Sequence, residues 1–196
     1  GVYAISLTIA NVFFIFPQMF QKILSLTFSQ IKNEGEIAKM LGVGIKYNTL
    51  FSVAQWAGFF FLGEWIISFF DPEFPQLVFR ITLYLCAGIT IFNIARPWIA
   101  LAVPRIPPRD FFLKLFLIPC LLAVGIYAIA ASQYGIMGVA VANVLTFGLL
   151  GGWAIWYTRR TLRVRPLLFS LSPMERGILQ RARRLLLKRI GNKGGV

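Results

Sequence analysis

Five long apolar stretches dominate the chain, at about 2–28, 43–70, 77–103, 111–131 and 135–157. Each meets or exceeds the roughly 20 residues that a helix needs to cross a bilayer core about 30 Å thick. Lipid offers the backbone no hydrogen bonds, so segments of this kind predict transmembrane α-helices that close their bonds internally. Composition points the same way. The chain is 58% hydrophobic and 14% charged, whereas a soluble domain carries about a quarter charged residues. The expected fold is an all-α integral membrane protein with five spans, residues 1–158, followed by a basic tail, 159–196. Pro17 and Pro97 fall inside spans, where a kink is tolerated if neighbouring groups take up the freed carbonyl.

The links between stretches are short: 32–36, 71–75, 104–110 and 132–134. Short links make successive helices antiparallel. Charge then sets their orientation. From Arg159 onward there are eleven basic residues and one acid, so the tail holds +10 of the net +13. Lysine and arginine mark cytoplasmic loops, which places the tail in the cytoplasm. Counting back, the 104–110 link (Arg105, Arg109, nearby Lys114) and the 32–36 link (Lys32, nearby Lys39 and Lys46) are cytoplasmic too. The other side has only Arg80, beside Asp71 and Glu73. The expected location is the inner (cytoplasmic) cell membrane, multi-pass, with the C-terminus in the cytoplasm. Five spans put Gly1 outside, and no methionine or signal peptide precedes it. The expectation is a chain that continues an N-terminal part.

The tail is read as two pieces. A basic cluster runs over 159–165. Ser172, Pro173 and Glu175 then resemble a helix start, and an amphipathic helix is expected over about 173–190, with Arg176, Arg181, Arg183, Arg184 and Lys188 on its polar side. Such a helix lies in the headgroup layer, so anionic lipid headgroups are the expected partner of the tail, not nucleic acid.

Polar residues inside spans carry the functional signal, because a helix facing only lipid has no use for them. In the first span Asn11, Gln18, Lys22, Ser25 and Ser29 follow spacings that keep them on one face, with Gln21 at its border. This stripe is read as lining a bundle interior or a watery cavity. In the third span Thr82, Cys86, Asn93 and Arg96 share an arc, with Thr90 at its edge. An unpaired arginine at that depth costs at least about 2.5–3.5 kcal/mol, so Arg96 needs water, a carboxylate or an anionic ligand. Its planar fork matches phosphate oxygens. Glu64 is the one acid well inside a span. It is read either as an ion-coupling carboxylate or as an outer-leaflet interfacial residue beside Trp65. The last span brings small residues for close packing, from Gly135 and Gly138 to Gly151 and Gly152, and closes on Trp153, Trp156 and Tyr157 as an aromatic belt.

Enzyme chemistry has no foothold in the pattern. There is no histidine, and Cys86 and Cys120 sit singly in apolar runs as small hydrophobes. No nucleophile elbow, metal-ligand spacing or phosphate loop is present. Neither catalysis nor a metal or cofactor is expected.

Several stretches resemble a known family in their order and spacing. Gly1-Val2-Tyr3-Ala4 opens a span with Pro17 in its middle. Gly63-Glu64-Trp65 precedes an apolar run and the Asp71-Pro72-Glu73-Phe74 turn. Tyr134-Gly135-Ile136-Met137-Gly138-Val139-Ala140 opens the last span, and Ala102-Val103-Pro104-Arg105 occupies a loop between spans. Over roughly 1–160 this is similar to the C-terminal half of polysaccharide (O-antigen, Wzx-type) flippases of the multidrug/oligosaccharidyl-lipid/polysaccharide exporter superfamily. Asp71 stands where that family has Gly, and the 102–105 loop lacks the family's Gly. The resemblance implies two six-helix lobes around a central cavity, with this chain supplying five helices of the second lobe and a missing N-terminal lobe as its partner. It also implies alternating-access flipping of a polyprenyl-pyrophosphate-linked oligosaccharide. In that setting Asn11, Gln18, Lys22, Ser25, Asn93 and Arg96 are the expected cavity-lining residues, by the stripes rather than by any family motif. Two other readings stand beside it: a non-transporting subunit that anchors a glycan-synthesis complex, and a drug or metabolite exporter of the same superfamily using Glu64.

Overall fold

A computed structural model describes residues 2–69 and 75–167. The expected amphipathic helix at about 173–190 and most of the 71–75 link lie outside the described residues. Among the described residues the chain is helical throughout, with no strand. The helices are α1 (Val2–Gln30), α2 (Glu34–Ser68), α3 (Pro75–Ala102), the single turn α4 (Pro108–Asp110), a π-helical segment (Phe111–Leu117) and α5 (Ile118–Leu162). By length and apolarity four helical runs can cross a membrane: α1, α2, α3 and the 55-residue run Pro108–Leu162.

Helix boundaries depart from the hydropathy pattern where local chemistry overrides it. The first link is only Ile31–Asn33, because Asn33 caps α2, its Oδ1 accepting from Gly35 N at 2.8 Å. Glu34 and Glu36, expected in the link, form the first turn of α2 and complement its dipole. Helix α2 therefore begins nine residues before the apolar stretch that marks its span.

The fourth link is a larger correction. Residues 132–134 are helical, and the 55-residue run consists of two helical halves joined without the expected loop. A single residue breaks it: Gly135, at φ 57°, ψ −141°. That backbone region is costly for any residue with a Cβ. The chain folds back there. Tyr127 Oη accepts from Asn143 Nδ2 at 3.1 Å and from Thr146 Oγ1 at 3.2 Å, whereas 16 residues of straight helix would separate 127 from 143 by about 24 Å. The two halves of α5 thus lie against each other.

Helix α3 is the centre of the bundle, packed on α1, α2 and α5, while α1 and α2 touch little. Of its most apolar stretch, 44% is buried, against 22% for α1 and for α2 and 17% for the last run. Contacts set the register. Ser6 reaches Val78 O, Gln21 reaches Arg96 and Phe28 O receives Arg105, so α1 and α3 run parallel. Gly88 meets Asn143, and Gly151 meets Ala95, so the second half of α5 runs parallel to them. Two main cores fill the interior, one around Phe13, Phe59, Ile81 and Leu85, the other around Leu24, Phe28, Leu41 and Trp98. Of the two cysteines, Cys86 is buried as expected but Cys120 is exposed on the outer surface of α5.

Each proline inside a span leaves a carbonyl four residues back without its helical donor, and a neighbouring helix supplies one. Pro17 frees Phe13 O, which accepts from Asn93 Nδ2 at 3.5 Å. Pro97 frees Asn93 O, which accepts from Asn48 Nδ2. Just before Pro119 the backbone takes π geometry, in which the Lys114 carbonyl would await the N–H of residue 119, a proline with none. Trp153 Nε1 donates to Lys114 O instead, at 2.7 Å.

The basic segments expected to share one side of a membrane meet at one end of the bundle. Arg105 Nη2 donates to Phe28 O at 3.1 Å and Ile31 O at 2.5 Å, closing the carbonyl end of α1. At the same end Leu167 N donates to Ala38 O of α2 at 3.0 Å.

Candidate functional site

Arg96 lies one residue before Pro97, near the C-terminal end of α3, and the residue is only 5% accessible. Its guanidinium is held from two sides. Nε donates to Asn93 Oδ1 at 2.7 Å, one turn back on α3, and Nη1 donates to Gln21 Oε1 of α1 at 2.8 Å. Two rings flank it, Phe14 at 5.0 Å and Phe92 at 5.4 Å from centroid to Cζ. Such cation–π contacts stabilise a desolvated charge by up to about 2 kcal/mol. None of these partners carries a negative charge, so the site holds a whole positive charge compensated only by dipoles.

A cavity of about 320 Å³ opens beside it, lined by Gln18, Gln21 and Lys22 of α1, Phe92, Arg96 and Ile99 of α3, and Phe116 of the π-helical segment. Among the described residues the lining contains two cations and no acid. Guanidinium carries five N–H donors, and the two hydrogen bonds above use two of them. Three remain, next to a lysine and two amides, in a low-dielectric wall of rings and aliphatic groups. Chemically this arrangement suits an anion with several acceptor oxygens, because the fork binds two at once.

The expected site residues separate into groups. Gln18, Lys22 and Arg96 share the cavity. Asn93 is buried behind it and does not line it. Its Oδ1, Nδ2 and main-chain oxygen are engaged with Arg96, Phe13 O and Asn48 Nδ2 respectively, so it positions Arg96. Asn11 and Ser25 are on the same face of α1 but outside the cavity lining, Asn11 exposed and Ser25 half-buried. Asn11 sits about 10 Å along the helix from Gln18. Glu64 is exposed beside Trp65. Since Asn48 is level with Asn93, Glu64 lies about 24 Å further along α2 and takes no part in the Arg96 cavity.

The two polar stripes have different fates. On α3, Thr82, Cys86, Asn93 and Arg96 are all buried among helices. On α1, Asn11, Gln18, Lys22 and Ser29 are exposed, while Phe13, Pro17, Leu24 and Phe28 face the core. These polar residues of α1 are therefore turned away from the described helices, interleaved with exposed Ile15, Met19, Ile23 and Leu26, and the Arg96 cavity lies at their border.

Helix α2 carries a further polar stripe that its apolar composition masks. Asn48, Ser52 and Gln55 follow the same four- and three-residue spacing, with Thr49 and Trp56 alongside. Asn48 Oδ1, Thr49 Oγ1, Ser52 Oγ, Gln55 Oε1 and Trp56 Nε1 are buried without a hydrogen-bond partner among the described residues. Asn143 and Thr146 of α5, tied to Tyr127, form another interior polar knot. No group of three or more metal-ligating side chains occurs among the described residues.

No family model, curated protein or solved structure matches the chain.

Proposed function

We propose that this chain is one lobe of a membrane transporter that moves an anionic, phosphate-bearing amphiphile, with the Arg96 cavity receiving the headgroup. The observation that carries this reading is the placement of Arg96 and Lys22 around one cavity that no acid lines among the described residues, beside Asn11, Gln18 and Ser29 on the outward side of α1. A polar face in contact with hydrocarbon is unfavourable, so the face calls for water or for a second helical lobe. In this reading the run 108–162 crosses twice, hinged at Gly135, which makes five crossings. The basic end of the bundle faces the cytoplasm of the inner membrane by the positive-inside rule. A second helical lobe supplies the opposite wall. The substrate class is the polyprenyl-pyrophosphate-linked oligosaccharide implied by the sequence resemblance, since a pyrophosphate offers the oxygens that a lysine and an arginine fork bind together.

The test is export in the gene product that carries this chain. Hydrogen bonds to charged groups are worth about 1.5–3 kcal/mol, so Lys22→Gln and Arg96→Gln each lower the rate at which lipid-linked oligosaccharide reaches the outer leaflet by about tenfold or more, with membrane insertion unchanged. Undiminished export in Lys22→Gln, whose side chain is exposed and supports no packing, overturns the assignment.

One observation favours a second reading, a non-transporting anchoring subunit: Thr82, Cys86 and Asn93 of the α3 stripe are buried between helices rather than lining the cavity. That role predicts that glycan assembly survives Lys22→Gln and fails when the helix contacts of Asn93 are removed.

A further inference from the structure

Beyond α5 the chain turns and docks. Arg163 takes the left-handed conformation, φ 51°, ψ 23°, and its N–H donates to Arg159 O at 3.0 Å. Glycine is the usual occupant of this C-terminal turn, because a Cβ disfavours it. Here an arginine holds the position and keeps a charged side chain there. The next residues form a strap across α2. Val164 packs against the core that contains Leu24, Leu41 and Trp98, and Leu167 N donates to Ala38 O at 3.0 Å. The strap lies so close that a Cβ on Gly42 would stand 2.3 Å from Leu167 O. Gly42 is thus the notch that admits it.

Docking the strap gathers four arginines. Arg159 and Arg160 from the last turn of α5, and Arg163 and Arg165 from the strap, surround a cavity of about 510 Å³ whose remaining lining is Trp156 and Val164. The Arg160 guanidinium lies 5.3 Å from the Trp156 ring centroid. Among the described residues no acid lines the cavity and none of the four has a carboxylate partner. Four like charges converging on one space repel one another, and an anion with several oxygens relieves that repulsion while engaging the guanidinium forks. The floor is apolar, and Trp156 belongs to the end of an apolar helix, where tryptophan sits at headgroup level. We infer that this pocket binds the phosphate of an anionic phospholipid and that it is assembled by docking of the strap on Gly42.

The experiment is native mass spectrometry of the full chain in detergent, counting retained phosphatidylglycerol against phosphatidylcholine. The wild type retains phosphatidylglycerol preferentially. A charge near the headgroups is worth about fivefold in affinity, so Arg160→Gln with Arg163→Gln lowers retention by about 30-fold. Gly42→Ala removes no charge and raises the helix propensity of α2, yet it displaces the strap and lowers retention comparably. Gly58→Ala, where an added Cβ meets nothing within 4 Å, leaves it unchanged. Retention that survives the double arginine variant belongs to the seven basic residues between 176 and 193 and overturns the pocket. Retention that survives Gly42→Ala overturns its assembly by the strap. Titration with inorganic phosphate and pyrophosphate separates the sources: displacement of the lipid by millimolar free anion overturns the lipid assignment, and its persistence supports it.

Discussion

Helices α1 and α3 carry polar stripes of nearly the same spacing, and the fold uses them in opposite ways. The α3 stripe lies at the centre of the bundle, where Asn93 and Arg96 are enclosed and hydrogen-bonded to α1 and α2. The α1 stripe is turned outward, with Asn11, Gln18 and Lys22 exposed. Periodicity tells that side chains share a face. It does not tell whether that face meets another helix, because this depends on where the neighbours pack. The lesson is that a polar stripe in a membrane helix has two readings, as internal glue or as a lining surface, and the two stripes of this chain divide between them.

The largest effect expected from breaking this contrast is at Asn93. Asn93→Leu strips the donor from Phe13 O, the acceptor from Arg96 Nε, and adds bulk between three helices. Interhelical hydrogen bonds in membranes contribute about 0.6–2 kcal/mol each, and an unsatisfied buried group adds its desolvation. The expected loss is about 3 kcal/mol, read as a shift of the unfolding transition in detergent. A smaller effect is expected at Gln21, which holds Arg96 through one hydrogen bond. Gln21→Leu costs about 1–2 kcal/mol, and the same titration of stability resolves it from Asn93→Leu.

The smallest stability effect, and the sharpest contrast, comes from exposure. Gln18→Leu changes stability by less than about 0.5 kcal/mol, as surface substitutions do. With Cys86 and Cys120 replaced by serine, Gln18→Cys reacts with a membrane-impermeant thiol reagent if the α1 face meets water, while Thr82→Cys in the core does not. Equal protection of both would place lipid or a packed helix against the α1 face and remove the ground for treating it as a lining surface.

Much of the architecture was legible along the chain. Apolar length alone predicts helices, since lipid leaves the backbone no alternative. The stripe spacing placed Gln18 and Lys22 on one face, and the depth of Arg96 marked it as needing partners. Other features were hidden because they depend on contacts between segments far apart in sequence. Arg105 reads as one more positive-inside charge, yet it closes the carbonyl end of α1. Gln21, at the edge of its stripe, is the residue that reaches Arg96. Asn48 lies as one polar residue in an apolar run, yet it satisfies the carbonyl that Pro97 releases. The reversal itself is hidden too: 132–134 reads as a loop by composition, yet those residues are helical and the backbone turns at Gly135 alone.

The sequence by itself determined that this protein is helical and suited to lipid, and that its positive charge gathers in two of the links and in the tail. Those properties follow from hydropathy, spacing and charge counts, which are local. Only the tertiary structure decided that α3 would be the centre, that two prolines would be answered by asparagines from other helices, and that Arg96 and Lys22 would border the same cavity. These depend on which faces meet. In an apolar chain many faces are nearly equivalent in hydrophobicity, so helix pairing is settled by shape and by the few polar groups that must find one another.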